Sequence, residues 1–161
     1  MKTARVSFFG IPAHPVANDL PGSLLPVASL CDLLYLLSAD RAWATTAYRL
    51  LQLGNAGALV AAALGALDYL CLPAAPEVRR LGRRHLALNA LLLPLFAACQ
   101  RQRRPRPEQP RPAAMALLLA ANIGLHLSAL QGARLVHQHG VRTGEAGSRA
   151  PVSARIEPVT L

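Results

Sequence analysis

Apolar residues along this chain gather into four blocks, separated by gaps rich in arginine and proline, and within each block they surround the helix rather than marking one stripe. A water-facing helix carries charges opposite its apolar stripe, so segments that are apolar all round point to burial in lipid. At a rise of ~1.5 Å per residue, about 20 such residues cross the ~30 Å hydrocarbon core. The pattern predicts spans at about residues 12–38, 48–72, 85–100 and 113–137. In the first span Pro12, Pro15, Pro21 and Pro26 oppose a regular helix, which is expected to begin near Gly22. Asp40, Arg41 and Trp43 should form a polar turn, with Trp43 and Tyr48 as interfacial aromatics. The third span is short and interrupted by Pro94, a length that also fits a re-entrant helix. Arg79, Arg80, Arg83 and Arg84 before it, and Arg101, Arg103 and Arg104 after it, can snorkel to both interfaces and lengthen its reach. The proline- and arginine-rich segment 100–112 reads as extended and solvated, and the arginine runs as solvated anchors. Residues 1–11 read as an N-terminal tail and 140–161 as a flexible C-terminal tail.

Four spans with short connections predict an all-α integral membrane four-helix bundle, up-down-up-down, with both termini on the same side. That side receives His14, Asp68, His85, His137 and His139, while His126 lies deeper. A carboxylate at the centre of a membrane helix costs roughly 3 kcal/mol, which makes Asp68 a candidate by default. Gly57, Ala61, Gly65 and Asp68 recur at intervals of four, four and three, so this small-residue face should meet a neighbouring helix and turn Asp68 inward. Asp32 in the first span is expected to face inward in the same way, or to be exposed near the opposite end. Asn122, His126, Ala129, Ala133 and His137 form a stripe on the fourth span whose polar atoms should face protein. Gly124, Ser128 and Gly132 form a second stripe of small residues.

Composition adds class rather than chemistry. Residues are 53% hydrophobic and the formal charge of +9 is carried almost entirely by arginine, which suits anionic headgroups. The basic runs lack interleaved aromatics, so nucleic acid is not an expected partner. Cys31, Cys71 and Cys99 show no paired spacing and read as buried free thiols. Imidazoles from separate helices beside a carboxylate suit a transition metal, and two facing imidazoles suit haem. No HExxH, CxxCH, phosphate loop or nucleophile elbow is present, so no catalytic residue is assigned.

In order along the chain, His14-Pro15, Asp68-Tyr69, His85-x-x-x-Asn89 and Leu135-Val136-His137-Gln138-His139-Gly140-Val141 resemble the bacterial membrane family called domain of unknown function 2231, over roughly residues 11–142. Where that family commonly has a second histidine after His-Pro, this sequence has Asp19. The resemblance implies a four-helix protein of the bacterial inner membrane and, because some relatives are joined to Rieske-type iron–sulphur domains, a redox setting. It selects His14, Asp68, His85, Asn89 and His139 as cofactor-binding candidates, with His14, His85 and His139 as metal ligands. The expected function is a redox-associated subunit holding haem b or a transition metal, with the bilayer, a redox protein and a second copy of the chain as partners. A non-catalytic scaffold and a small proton or metal-ion permease using Asp68 and His126 are the alternatives.

Overall fold

The computed structural model describes residues 6–9 and 11–141, so most of the C-terminal tail expectation lies outside the described residues. Four helices account for nearly all of the described chain: α1 Ala13–Ser38, α2 Arg41–Tyr69, α3 Pro76–Arg103 and α4 Pro112–His137. Ahead of them Ser7–Phe8 (β1) pairs antiparallel with Ile11–Pro12 (β2), and the Ala13 amide donates to the Val6 carbonyl at 3.0 Å, so the segment before the first span is partly ordered. α1, α2 and α4 are each long and apolar enough to cross a membrane.

Several boundaries differ from the expectation, each for a local reason. α1 is regular from Ala13, with Pro21 and Pro26 inside it. Pro15 falls in the first turn, where no amide is needed, and close packing on α2 supports the helix around Pro21. The α1–α2 turn is only Ala39 and Asp40. Ala39 takes a left-handed φ of 56°, and Asp40 caps α2 by accepting the Ala42 amide at 2.9 Å, so Arg41 and Trp43 are helical. Tyr48 is buried between helices rather than interfacial, whereas Trp43 is exposed. α3 has 28 residues, beginning well before residue 85 and ending three residues after 100, which at ~1.5 Å per residue is ~42 Å. The segment after it is a succession of tight turns, closed by Arg106 onto Arg103 and Gln109 onto Arg106. At the end of α4, Gly140 has a φ of 60° and Val141 turns back to donate to Leu135 at 3.0 Å, so the first residues of the expected tail are packed.

Consecutive helices are antiparallel. Gly54 and Gly57 of α2 sit on Leu25 and Leu20 of α1, and Gly124 and Gly132 of α4 sit on Leu92 and His85 of α3. The central core is Leu25, Leu51, Leu92, Phe96, Cys99 and Leu118, and a second cluster of Leu72, Val78, Leu135 and Val141 closes the end where α1 and α3 begin.

The two hairpins are copies of one arrangement. His14, Asn18 and Asp32 of α1 have His85, Asn89 and Arg103 at the position 71 residues later in α3. Asn55, Gly57, Ala61 and Gly65 of α2 have Asn122, Gly124, Ser128 and Gly132 at the position 67 residues later in α4. The contacts repeat with the residues. Asn55 Nδ2 donates to the Phe96 carbonyl at 3.2 Å and to Gln100 Oε1 at 2.6 Å, and Asn122 Nδ2 donates to the Leu25 carbonyl at 2.9 Å and to Ser29 Oγ at 2.7 Å. Leu25 and Ser29 are the equivalents of Phe96 and Gln100 at the same 71-residue offset. Such reciprocity is the signature of twofold symmetry, and since α1 and α3 run the same way the axis lies along the bundle.

Candidate functional site

His14 and His85 occupy equivalent positions one and three helices into the chain, and they meet. Their ring centroids are 6.5 Å apart with planes at 79°, an edge-on pair. Each ring is anchored by the opposite helix of its own hairpin. His14 Nδ1 lies 2.7 Å from the Ala61 carbonyl of α2, and His85 Nδ1 lies 2.9 Å from the Ser128 carbonyl and 3.1 Å from Ser128 Oγ of α4. A carbonyl oxygen only accepts, so Nδ1 carries a proton in both rings. On the next turn of each partner helix a glycine makes room: the His14 ring lies against Gly65 and the His85 ring against Gly132.

Asn89 lies against His85 one turn along α3. Its Nδ2 donates to the His85 carbonyl at 3.0 Å, which identifies that atom as nitrogen, and the same group lies 3.2 Å from His85 Nε2. An N–H facing Nε2 is accommodated by a lone pair there, the arrangement of a neutral imidazole with its proton on Nδ1. Neutral imidazole of that tautomer is the form that accepts a hydrogen bond from a ligand or coordinates a metal through Nε2.

Both rings line a cavity of about 170 Å³ to which all four helices contribute. Asn18 and Asn89 give it polar groups beside the histidines, Phe96 and Leu92 form its inner end, and Leu135 and Val141 form its outer end. Asp68 is 6% exposed and follows Gly65 by one turn, so the small-residue face of α2 is inward as expected, but Asp68 is not among the cavity-lining residues. His139 is half-buried beyond the end of α4 and is also absent from that lining, while His137 is exposed.

The site can be tested against the cofactors expected of it. Among the described residues no three His, Cys, Asp or Glu side chains are grouped to hold a metal ion, so His14, His85 and His139 are not assembled as a metal triad. A closed metal site needs about four ligands, and His14 with His85 supplies two. Engineered apolar cavities of ~150 Å³ hold benzene, so 170 Å³ accommodates one six-membered ring and not a tetrapyrrole. Neither haem nor a protein-ligated metal fits the cavity as it stands.

Other polar residues fall where sequence reasoning did not put them. On α4 the faces are exchanged: His126, Ala129, Ala133 and His137 are exposed, while Ser128 is buried and Gly124 and Gly132 meet α3. Small residues admit close backbone approach, and that decides the interface over polarity. Asn122 alone of the expected stripe is buried. At the opposite end of the bundle Arg103, 1% exposed, forms a two-pronged pair with Asp32: Nη1 to Oδ2 at 2.8 Å and Nη2 to Oδ1 at 2.6 Å. Asp32 is therefore inward, and Arg103 is a buried ion-pair partner rather than a solvated anchor. The signal that would have found Asn18 is its position four residues after His14, repeated by His85 and Asn89.

The family model described as "Predicted membrane protein (DUF2231)" matches residues 10–145. No curated protein and no solved structure matches the chain.

Proposed function

Because the chain belongs to the predicted membrane protein family called domain of unknown function 2231, and because its two hairpins bring equivalent histidines together, we propose that it is a ligand-binding subunit of the bacterial inner membrane. The ligand is a small, mostly apolar molecule of about one ring, held at one end of the bundle between His14 and His85 with Asn18 and Asn89 beside them. The observation that carries this reading is the His14–His85 pair opening onto a cavity lined by all four helices. A packed four-helix bundle needs no such cavity, and apolar walls with a few convergent polar groups are the usual form of a small-molecule site. The resemblance to relatives joined to Rieske-type domains suggests a redox setting with a redox protein as partner, and a second copy of the chain is the other partner proposed. His139 and Asp68 belong to the same end and act, in this reading, on the approach to the cavity.

Protein extracted in a mild detergent would be examined by absorption spectroscopy, metal analysis and mass spectrometry of its organic extract. The expected result is one small organic molecule per chain, lost in a His14→Ala, His85→Ala double variant that still elutes as folded protein. Absence of a stoichiometric organic molecule overturns the proposal, and so does a stoichiometric haem or metal in its place.

A second reading is supported by the same hydrogen bonds. His14 ties α1 to α2 and His85 ties α3 to α4, which is what a scaffold would need. It predicts that the double variant loses folding rather than a ligand.

A further inference from the structure

A second site lies far from the histidine pair, on the lipid-facing side of the bundle. Between α1 and α4, near the middle of both helices, an open groove of about 320 Å³ is lined by Pro26, Ser29, Asn122 and His126. Leu119, Ile123 and Leu127 form its α4 rim and are all more than half exposed.

Two acceptors border this groove. Asn122 is 4% exposed and both its N–H groups are spent on the Leu25 carbonyl and Ser29 Oγ, so the remaining atom, Oδ1, is an acceptor; it is buried and has no hydrogen-bond partner. One turn later His126 Nδ1 lies 2.8 Å from the Asn122 carbonyl, which places its proton on Nδ1 and leaves Nε2 as an acceptor in the neutral ring. Hydrocarbon supplies no donor to either.

The repeat shows that the bundle does not require the second of these groups. Asn122 corresponds to Asn55, which makes the equivalent hydrogen bonds, so the asparagine belongs to the shared architecture. His126 corresponds to Leu59, which is 62% exposed and apolar. A histidine therefore stands at a lipid-facing position whose counterpart is leucine; the orphaned amide oxygen beside it recurs at Asn55 Oδ1, so the histidine is what distinguishes this groove.

We propose that the α1–α4 groove binds a membrane-dissolved alcohol or phenol whose O–H donates to His126 Nε2 while its apolar body rests on Leu119, Ile123 and Leu127. A ketone, ether or ester of the same shape brings only acceptors; it can take the Ser29 hydroxyl proton but leaves His126 Nε2 without a donor, and so binds more weakly. The site is separate from the His14–His85 cavity, and its success or failure does not depend on that reading.

The test uses the full chain in liposomes and a photoreactive long-chain alcohol, with its methyl ether as the control of equal shape. The alcohol is expected to label α4 around residues 119–127, with the ether labelling at least fivefold less. His126→Leu, which installs the residue found at the equivalent position of α2, is expected to bring alcohol labelling down to the ether level without changing the elution profile. Equal labelling by alcohol and ether in the unaltered chain overturns the proposal, whatever the variant does. So does efficient Ile123→Cys disulfide dimerisation that abolishes the labelling, since the groove would then be filled by a second copy.

Discussion

At the scale of single residues, the glycines that admit the histidines are the most sensitive positions in the candidate site. A Cβ added at Gly65 would lie 2.8 Å from His14 Cε1, with Nδ1 at 3.1 Å and Nε2 at 3.3 Å, so the whole ring is in the way. The ring cannot slide aside without breaking its bond to the Ala61 carbonyl. Gly65→Ala is therefore expected to cost about 1–3 kcal/mol in denaturant or thermal unfolding in detergent and to weaken ligand retention. Gly132→Ala should be milder, since the nearest atom there, His85 Cε1, is 3.3 Å away. Gly22→Ala meets nothing within 4 Å on an exposed helix face and should stabilise by about 0.5 kcal/mol. Gly65 was legible in the sequence because a run of small residues at helical spacing announces a close helix contact. The partner was not, because no local pattern says that a histidine 51 residues earlier fills the space. Asp68 is expected to face inward, and it is buried; its counterpart at the 67-residue offset is the buried Leu135, so the architecture does not demand a carboxylate there.

At the scale of helices, α3 was the element least visible in its own sequence. Its arginine-bearing ends mask a helix as long as its neighbours, and one arginine in those ends is not at the surface. Arg103 and Asp32 lie at equivalent positions of α3 and α1, and they pair across the twofold axis. The sequence signal was two opposite charges at the same depth, visible only once the helices are aligned as repeats. Breaking a buried pair leaves one charge uncompensated and typically costs about 3–5 kcal/mol. Asp32→Asn and Arg103→Leu are each expected to lower stability by that order in detergent denaturation. The exchange Asp32→Arg with Arg103→Asp should be clearly more stable than either Asp32→Arg or Arg103→Asp alone, because the symmetry offers each side chain a similar surrounding. If the exchanged protein is as unstable as the worse single variant, the equivalence of the two positions is wrong.

At the scale of the whole molecule, the bundle is two helical hairpins related by rotation about its long axis, and this decides what crosses the membrane. By length and apolar composition α1, α2 and α4 stand out as spans, and the arginine-rich α3 does not. Structure supplies what hydropathy lacks: α3 packs along α4 from His85 against Ser128 to Leu92 against Gly124, then meets α2 through Phe96 and α1 through Arg103. As the equivalent of α1 it must run in the same direction and across the same depth. The loops that flank α3 should then lie on opposite faces of the bilayer. This is tested with Cys31, Cys71 and Cys99 replaced by Ser and one cysteine introduced at Ala74, before α3, or at Gln109, after it, both exposed positions. In sealed vesicles a membrane-impermeant maleimide is expected to modify one of the two from outside and the other only after permeabilisation. A re-entrant α3 would leave both on the same side and equally reactive. That result would break the correspondence between the hairpins and remove the reason for His14 and His85 to meet, whereas opposite-side labelling leaves four crossings and a site at the end shared by the first turns of α1 and α3.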